Sequence, residues 1–136
     1  MHEIEKKNIR GKTMAKDDYS YLVFKILTYL YGCFKRKYSF DKDAFNKAVV
    51  RKEDIAEEYL IDILKNLSDE EMIKGLVFQK IWGGEYILIT DLCDMKITAK
   101  GIRYLEDNSK MKQMREHILE SAGVITELVK LVFKSV

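Results

Sequence analysis

Two runs rich in β-branched and aromatic residues, Leu76 to Trp82 and Tyr86 to Thr90, flank the pair Gly83-Gly84 in the middle of an otherwise helical chain. Glycine takes the positive φ values that a tight turn demands, so this segment predicts a β-hairpin. Upstream of Gly75 the apolar periodicity is that of helices. Leu22, Val23, Ile26, Leu27, Leu30 and Phe34 recur at three- and four-residue spacing, with Asp17 or Asp18 placed to cap the N-terminus. Tyr19, Tyr21, Phe24, Tyr29 and Tyr31 surround that stripe with aromatic surface. Asp41 or Asp43 can cap a short second helix through Ala44, Phe45 and Ala48. After the charged turn Arg51-Lys52, a third helix carries one apolar stripe of Ile55, Ala56, Tyr59, Leu60, Ile63, Leu64 and Leu67.

Two helices joined by a short turn and followed directly by a hairpin have the order of a winged helix-turn-helix. The stretch Tyr38-Ser39-Phe40 is a candidate third strand at the edge of the wing. Thr98 is placed to cap a further helix through Ile102, Tyr104 and Leu105, which Asn108 can end and Ser109 can follow as the next cap. Beyond it Met111, Ile118, Ile125 and Val132 repeat at seven residues, flanked by Met114, Leu128, Val129 and Phe133. Ser121, Ala122 and Gly123 interrupt this seam, so it predicts either a bent helix or two shorter ones. Such an element folds back on its own domain or pairs with a second copy, and Met111, Met114, Ile118, Ile125, Leu128 and Val132 are the candidate dimer residues. The expected fold is therefore mainly α with a small β-hairpin wing, an α+β winged helix-turn-helix with a C-terminal amphipathic helix. Its parts are a flexible basic tail at 1–16, a winged-helix domain at 17–108 and a packing or dimerisation helix at 109–136.

Charge narrows the function. The 136 residues hold 24 Lys plus Arg against 22 Asp plus Glu, a net charge of +2. Residues 1–16 have five basic and two acidic groups, so the remainder is slightly acidic. That counts against binding nucleic acid or a membrane by bulk charge, which needs a concentrated basic surface. Cys33 and Cys93 form no CxxC pair, and a disulfide framework is not expected. His2 and His117 have no metal-ligand spacing, so no metal and no cofactor are expected. No phosphate-cradling Gly-rich loop occurs, no His lies near a Cys or Ser nucleophile, and Glu57 and Glu58 are merely consecutive on a helix, so the expectation is a protein without enzymatic activity. No apolar stretch approaches the roughly 20 residues that span a bilayer, which predicts a cytoplasmic protein without a membrane partner.

The segment Ile97 to Met111, ITAKGIRYLEDNSKM, resembles the hallmark of the YjcQ-like winged-helix proteins of Gram-positive bacteria and their phages. The matching positions are Thr98, Lys100, Gly101, Tyr104, Leu105, Asn108, Ser109 and Met111. LKNLSDEEMIKGLVF at 64–78 is similar to the family's passage from recognition helix into wing, and the resemblance covers roughly 17 to 115. It implies the winged-helix fold and a phage or prophage association, and it brings no catalytic residues.

A winged helix most often reads duplex DNA by laying its third helix in the major groove. Here that helix presents Asp54, Glu57, Glu58, Ile61, Asp62 and Lys65, and the interval 53–71 has eight acidic residues against one basic. Carboxylates are repelled by phosphates, and base readout relies on Arg, Lys, Asn or Gln donors. If DNA is contacted, the candidate groups lie elsewhere, at Lys35, Arg36, Lys37, Lys47, Arg51, Lys52 and Lys80. The basic cluster Lys35 to Lys37 also suits the negative end of the first helix. Trp82 at the wing tip either reaches a sugar or base or packs as an edge indole on the domain, the commoner fate of such a ring. Asp54, Glu57, Glu58, Ile61 and Asp62 form a candidate protein-contact surface, because an apolar group ringed by charge is what a small binding spot looks like. Two functions are expected: a regulator contacting DNA outside its acidic helix, of the phage or prophage type that the family resemblance implies, and an interaction module that keeps the fold without groove binding.

Overall fold

A computed structural model describes residues 3–50, 55–120 and 123–133, with side-chain packing described from residue 19 onward within those segments. Six helices and two small antiparallel ribbons follow in the order α1 (Glu3–Phe34), α2 (Lys42–Val49), α3 (Glu57–Asp69), β1 (Ile73–Lys74), β2 (Phe78–Lys80), β3 (Tyr86–Leu88), β4 (Lys96–Ile97), α4 (Ala99–Asp107), α5 (Ser109–Ile118) and α6 (Val124–Phe133). This is the expected winged-helix arrangement with a C-terminal helical extension.

The central element is α1. Between Leu22 and Tyr31 nearly every side chain is buried, Lys25 and Thr28 included, so the helix is covered on all sides rather than along one stripe. It packs against α2, α4, α5, α6 and β4. Its backbone begins at Glu3, well before the Asp17 or Asp18 start that the charge pattern predicted. At the other end Arg36 adopts φ 62°, and the Lys37 N–H donates to the Gly32 carbonyl at 2.9 Å, closing the helix with a left-handed cap.

Tyr38 to Phe40 do not form the expected third strand. The rings of Tyr38 and Phe40 turn inward onto Tyr29, at 5.0 and 5.4 Å between centroids. The Tyr29 hydroxyl accepts from the Asp41 N–H at 3.0 Å, so a side chain takes the backbone partner that a neighbouring strand would supply. Asp41, rather than Asp43, caps α2, its carboxylate accepting from the Ala44 N–H. Leu60, Ile63, Leu64 and Leu67 of α3 enter the core as their spacing predicts.

The hairpin pairs Phe78 with Leu88, Gln79 with Ile87 and Lys80 with Tyr86. Gly83 and Gly84 take φ values of 85° and 82° at its tip, the conformation for which glycine is needed. A second ribbon joins β1 to β4, pairing Ile73 with Ile97 and Lys74 with Lys96.

Thr98 caps α4, accepting from the Gly101 N–H while donating to the Glu71 carbonyl at 2.7 Å. Asn108 both ends α4 and caps α5 through its side chain, leaving Ser109 inside the helix rather than capping it. The heptad seam is two helices, with Gly123 at φ 141° before α6. Val129 and Val132 of α6 are buried, Phe133 stacks on Phe24, and the extension folds back onto α1. Among the described residues no helix is long and apolar enough to cross a membrane.

Candidate functional site

The third helix keeps the acidic surface that its sequence predicts. Glu57, Glu58 and Asp62 are exposed on α3, and Ile61 beside them is half-buried. The single cation on this helix is engaged. Lys65 bridges to Asp69 at 2.8 Å and lies 4.6 Å from the centre of the Tyr86 ring, pinning the hairpin to α3. The hydrogen bond to Asp69 holds its ammonium pKa above the usual range. Asp54, Arg51 and Lys52 lie outside the described residues.

The wing has two unlike faces. Phe78, Leu88 and Tyr86 are partly buried, and Lys65 reaches over the Phe78 and Tyr86 rings from α3. Alternation puts Val77, Gln79, Ile81, Ile87 and Ile89 on the other side. The four aliphatic groups there are exposed, and Val77 and Ile89 are joined by a 2.9 Å backbone bond from the Ile89 N–H. At the tip Trp82 is 97% exposed, so its indole does not pack on the domain. From Leu76 to Thr90 the only charged groups are Lys80 and Glu85, which leaves this wing neutral and apolar.

The other candidate basic residues do not form one patch. The Lys35 ammonium donates to the Val132 carbonyl at 2.6 Å and lies 4.5 Å from the Tyr31 ring centre. It therefore serves the C-terminal end of α6, not that of its own helix, and this long-range role is invisible in the local sequence. Lys37 is exposed at the helix end, and Lys80 is exposed on the wing. Lys47 joins Lys42, a residue the sequence did not single out, on a groove of about 440 Å³ between α2 and the start of α3.

Arg36 joins two further cations that sequence reasoning missed. A cleft of about 870 Å³ between the end of α1 and the β1–β4 ribbon is lined by Arg36, Lys74 and Lys96, with Phe34, Tyr38 and Phe40 supplying aromatic surface. Cys33 and Cys93 also face this cleft. Burial pushes the Cys33 thiol up to about 11, with nearby Lys96 pulling in the opposite direction.

Of the candidate dimer residues, Met111, Ile118 and Val132 are buried in the chain's own core, and Met114, Ile125 and Leu128 pack partly against it. Leu119, just after α5, and Val124 and Leu131 of α6 are the large apolar groups left exposed among the described residues of this extension.

Helix-turn-helix, hairpin and returning C-terminal helices together define a winged-helix protein with an acidic third helix and an apolar wing. The family model for YjcQ protein matches residues 24–120, and the chain belongs to the YjcQ family. Comparison with curated proteins and with solved structures gave no match.

Proposed function

We propose that this chain is a regulatory interaction module that docks a protein through its wing and its acidic third helix, in the phage or prophage setting that the family resemblance implies. The observation that carries the reading is the outward apolar face of the wing, with Val77, Ile81, Ile87 and Ile89 exposed behind a fully open Trp82. Contiguous exposed apolar side chains mark interaction surfaces, and tryptophan is enriched where interfaces gain most of their affinity. A wing that tracks a phosphate backbone needs cations, and this one has a single lysine balanced by a glutamate. The carboxylates of α3 favour a partner with a basic rim and an apolar centre. No catalytic step is assigned to these surfaces.

DNA contact by groups outside α3 is the second reading. Its support is the Lys42 and Lys47 pair on the groove beside α3, with Arg51 and Lys52 following in the sequence.

Site-specific photocrosslinking from position 87 in the native host tests the first reading. Defined partners should be lost with Trp82→Ala at an unchanged melting temperature. They should also be lost with the charge reversal Glu57→Lys/Glu58→Lys, which lowers the melting temperature because it puts cations on the first turn of α3 but leaves the chain folded at the temperature of the assay. Partners that survive both changes overturn it. So does duplex binding that falls steeply with salt and flattens in Arg51→Ala/Lys52→Ala, because that result assigns the chain to DNA.

A further inference from the structure

The cleft lined by Arg36, Lys74 and Lys96 has no part in the docking just described, and two features of its lining lower the stability of the free protein. Lys74 stands directly opposite Lys96 in the ribbon register. Like charges so placed repel across an antiparallel pair. The ribbon is only two residues long, and its other pair, Ile73 with Ile97, is buried, so alternation holds both lysines on the outer side. Arg36 meanwhile occupies the left-handed position after α1, at φ 62°, where glycine is the favoured residue. Two separate local penalties thus bring three cations to one concavity, and none of the described residues lining it is a carboxylate.

The same cleft has an aromatic wall. Phe34 is 62% exposed at its edge, with Tyr38 and Phe40 deeper. Its volume of about 870 Å³ falls within the range of pockets that hold small molecules and cofactors. A guanidinium matches two oxygens of a phosphate in a fixed fork, and two ammonium groups add point charge. A planar ring can stack on Phe34.

We propose that this cleft binds a small phosphorylated molecule with a planar aromatic body, a nucleotide in chemical class. Arg36, Lys74 and Lys96 surround the phosphates and Phe34 stacks on the ring. Occupancy by a dianion converts the Lys74–Lys96 repulsion into shared attraction, which is why the bound protein tolerates a pairing that the free protein does not favour.

The test titrates the full chain with ADP, with adenosine and with inorganic phosphate, following backbone amide shifts and alkylation of the two cysteines. ADP should shift Lys74, Lys96 and Phe34 and slow alkylation of Cys93, while adenosine binds about tenfold or more weakly because it lacks the phosphates. Lys96→Met should raise the melting temperature of the free protein and weaken ADP about tenfold or more, since it removes both the repulsion and a ligand contact. Arg36→Gly should do the same through the backbone, and serves as the second variant. Absence of ADP shifts at millimolar concentration overturns the proposal, as does adenosine binding as tightly as ADP. Displacement of ADP by a short DNA duplex that shifts the same lysines also overturns it, since the cleft would then follow a nucleic-acid backbone. None of these results depends on whether the wing docks a protein.

Discussion

Thr28 sits in the C-terminal third of α1, fully buried, and its hydroxyl has no hydrogen-bond partner among the described residues. A buried hydroxyl left unsatisfied costs about 1–3 kcal/mol, and valine has the same branched shape without it. Thr28→Val should therefore stabilise the fold by about 1 kcal/mol in urea unfolding with an unchanged slope. A loss of stability would assign that hydroxyl a partner. The opposite outcome holds at Gly101, where a Cβ would drive into the Met72 carbonyl. Backbone cannot yield as a flexible side chain does, so Gly101→Ala should cost about 2 kcal/mol or more by the same measurement. Thr98 and Gly101, the most recognisable residues of the family hallmark, thus build the junction between the β1–β4 ribbon and α4. The hallmark is readable because it is structural, and for that reason it says nothing about a ligand.

At the scale of elements, what the sequence revealed was whatever a single periodic segment contains. The hairpin, the α3 stripe and the acidic face of that helix each lie within one run of chain. The hairpin stands, the stripe holds from Leu60 to Leu67 while Ile55 and Ala56 precede the helix and Ala56 is exposed, and the acidic face holds at Glu57, Glu58 and Asp62. What it concealed was every arrangement that depends on a distant partner. Lys74 and Lys96 are unremarkable alone and form a charged pair only through the ribbon register. Lys35 looked like a cap for its own helix and instead reaches a carbonyl of α6. Tyr38 to Phe40 read as a strand by composition, yet the aromatic cluster with Tyr29 and Phe45 draws them in. Trp82 read either as a contact to a sugar or base or as an edge indole packed on the domain, and the packing alternative fails because its ring stands in solvent. Trp82→Ala should accordingly change stability by less than about 0.5 kcal/mol, as surface substitutions do, whatever it does to binding. Removal of α6 should do the reverse. Burial of Val129 and Val132 alone is worth about 1.5–3 kcal/mol each, so a chain ending before Val124 should melt far lower and bind hydrophobic dye where Phe24 becomes uncovered.

For the whole molecule, the hub position of α1 gathers weakly acidic hydroxyl and thiol groups into or beside the core. Desolvation by burial, then the hydrogen bond to Glu106, raises Tyr31 to about 12 from an ordinary value of 10.0. Burial raises Cys33 to about 11 from 9.0, and pushes Tyr38 well above its ordinary range. Each of these groups is neutral when protonated, and the folded chain holds its proton more tightly than the unfolded chain does. Below the unfolded values both states carry the proton and the stability is fully present. Between the unfolded and folded values only the unfolded chain releases it, which favours unfolding. The stability contributed by Cys33 and Tyr31 should therefore persist at neutral pH, start to fall near pH 9 and be gone above about pH 12. Thermal unfolding followed at intervals from neutral to strongly alkaline pH measures this directly. Tyr31→Phe should be less stable at neutral pH, having lost the bond that ties α1 to Glu106 of α4, and should decline less steeply above pH 10 because one titrating group is gone. Equal alkaline slopes in the two proteins would remove Tyr31 from the account and leave the decline to Cys33 and to Tyr29, Tyr38 and Tyr104, which burial also raises.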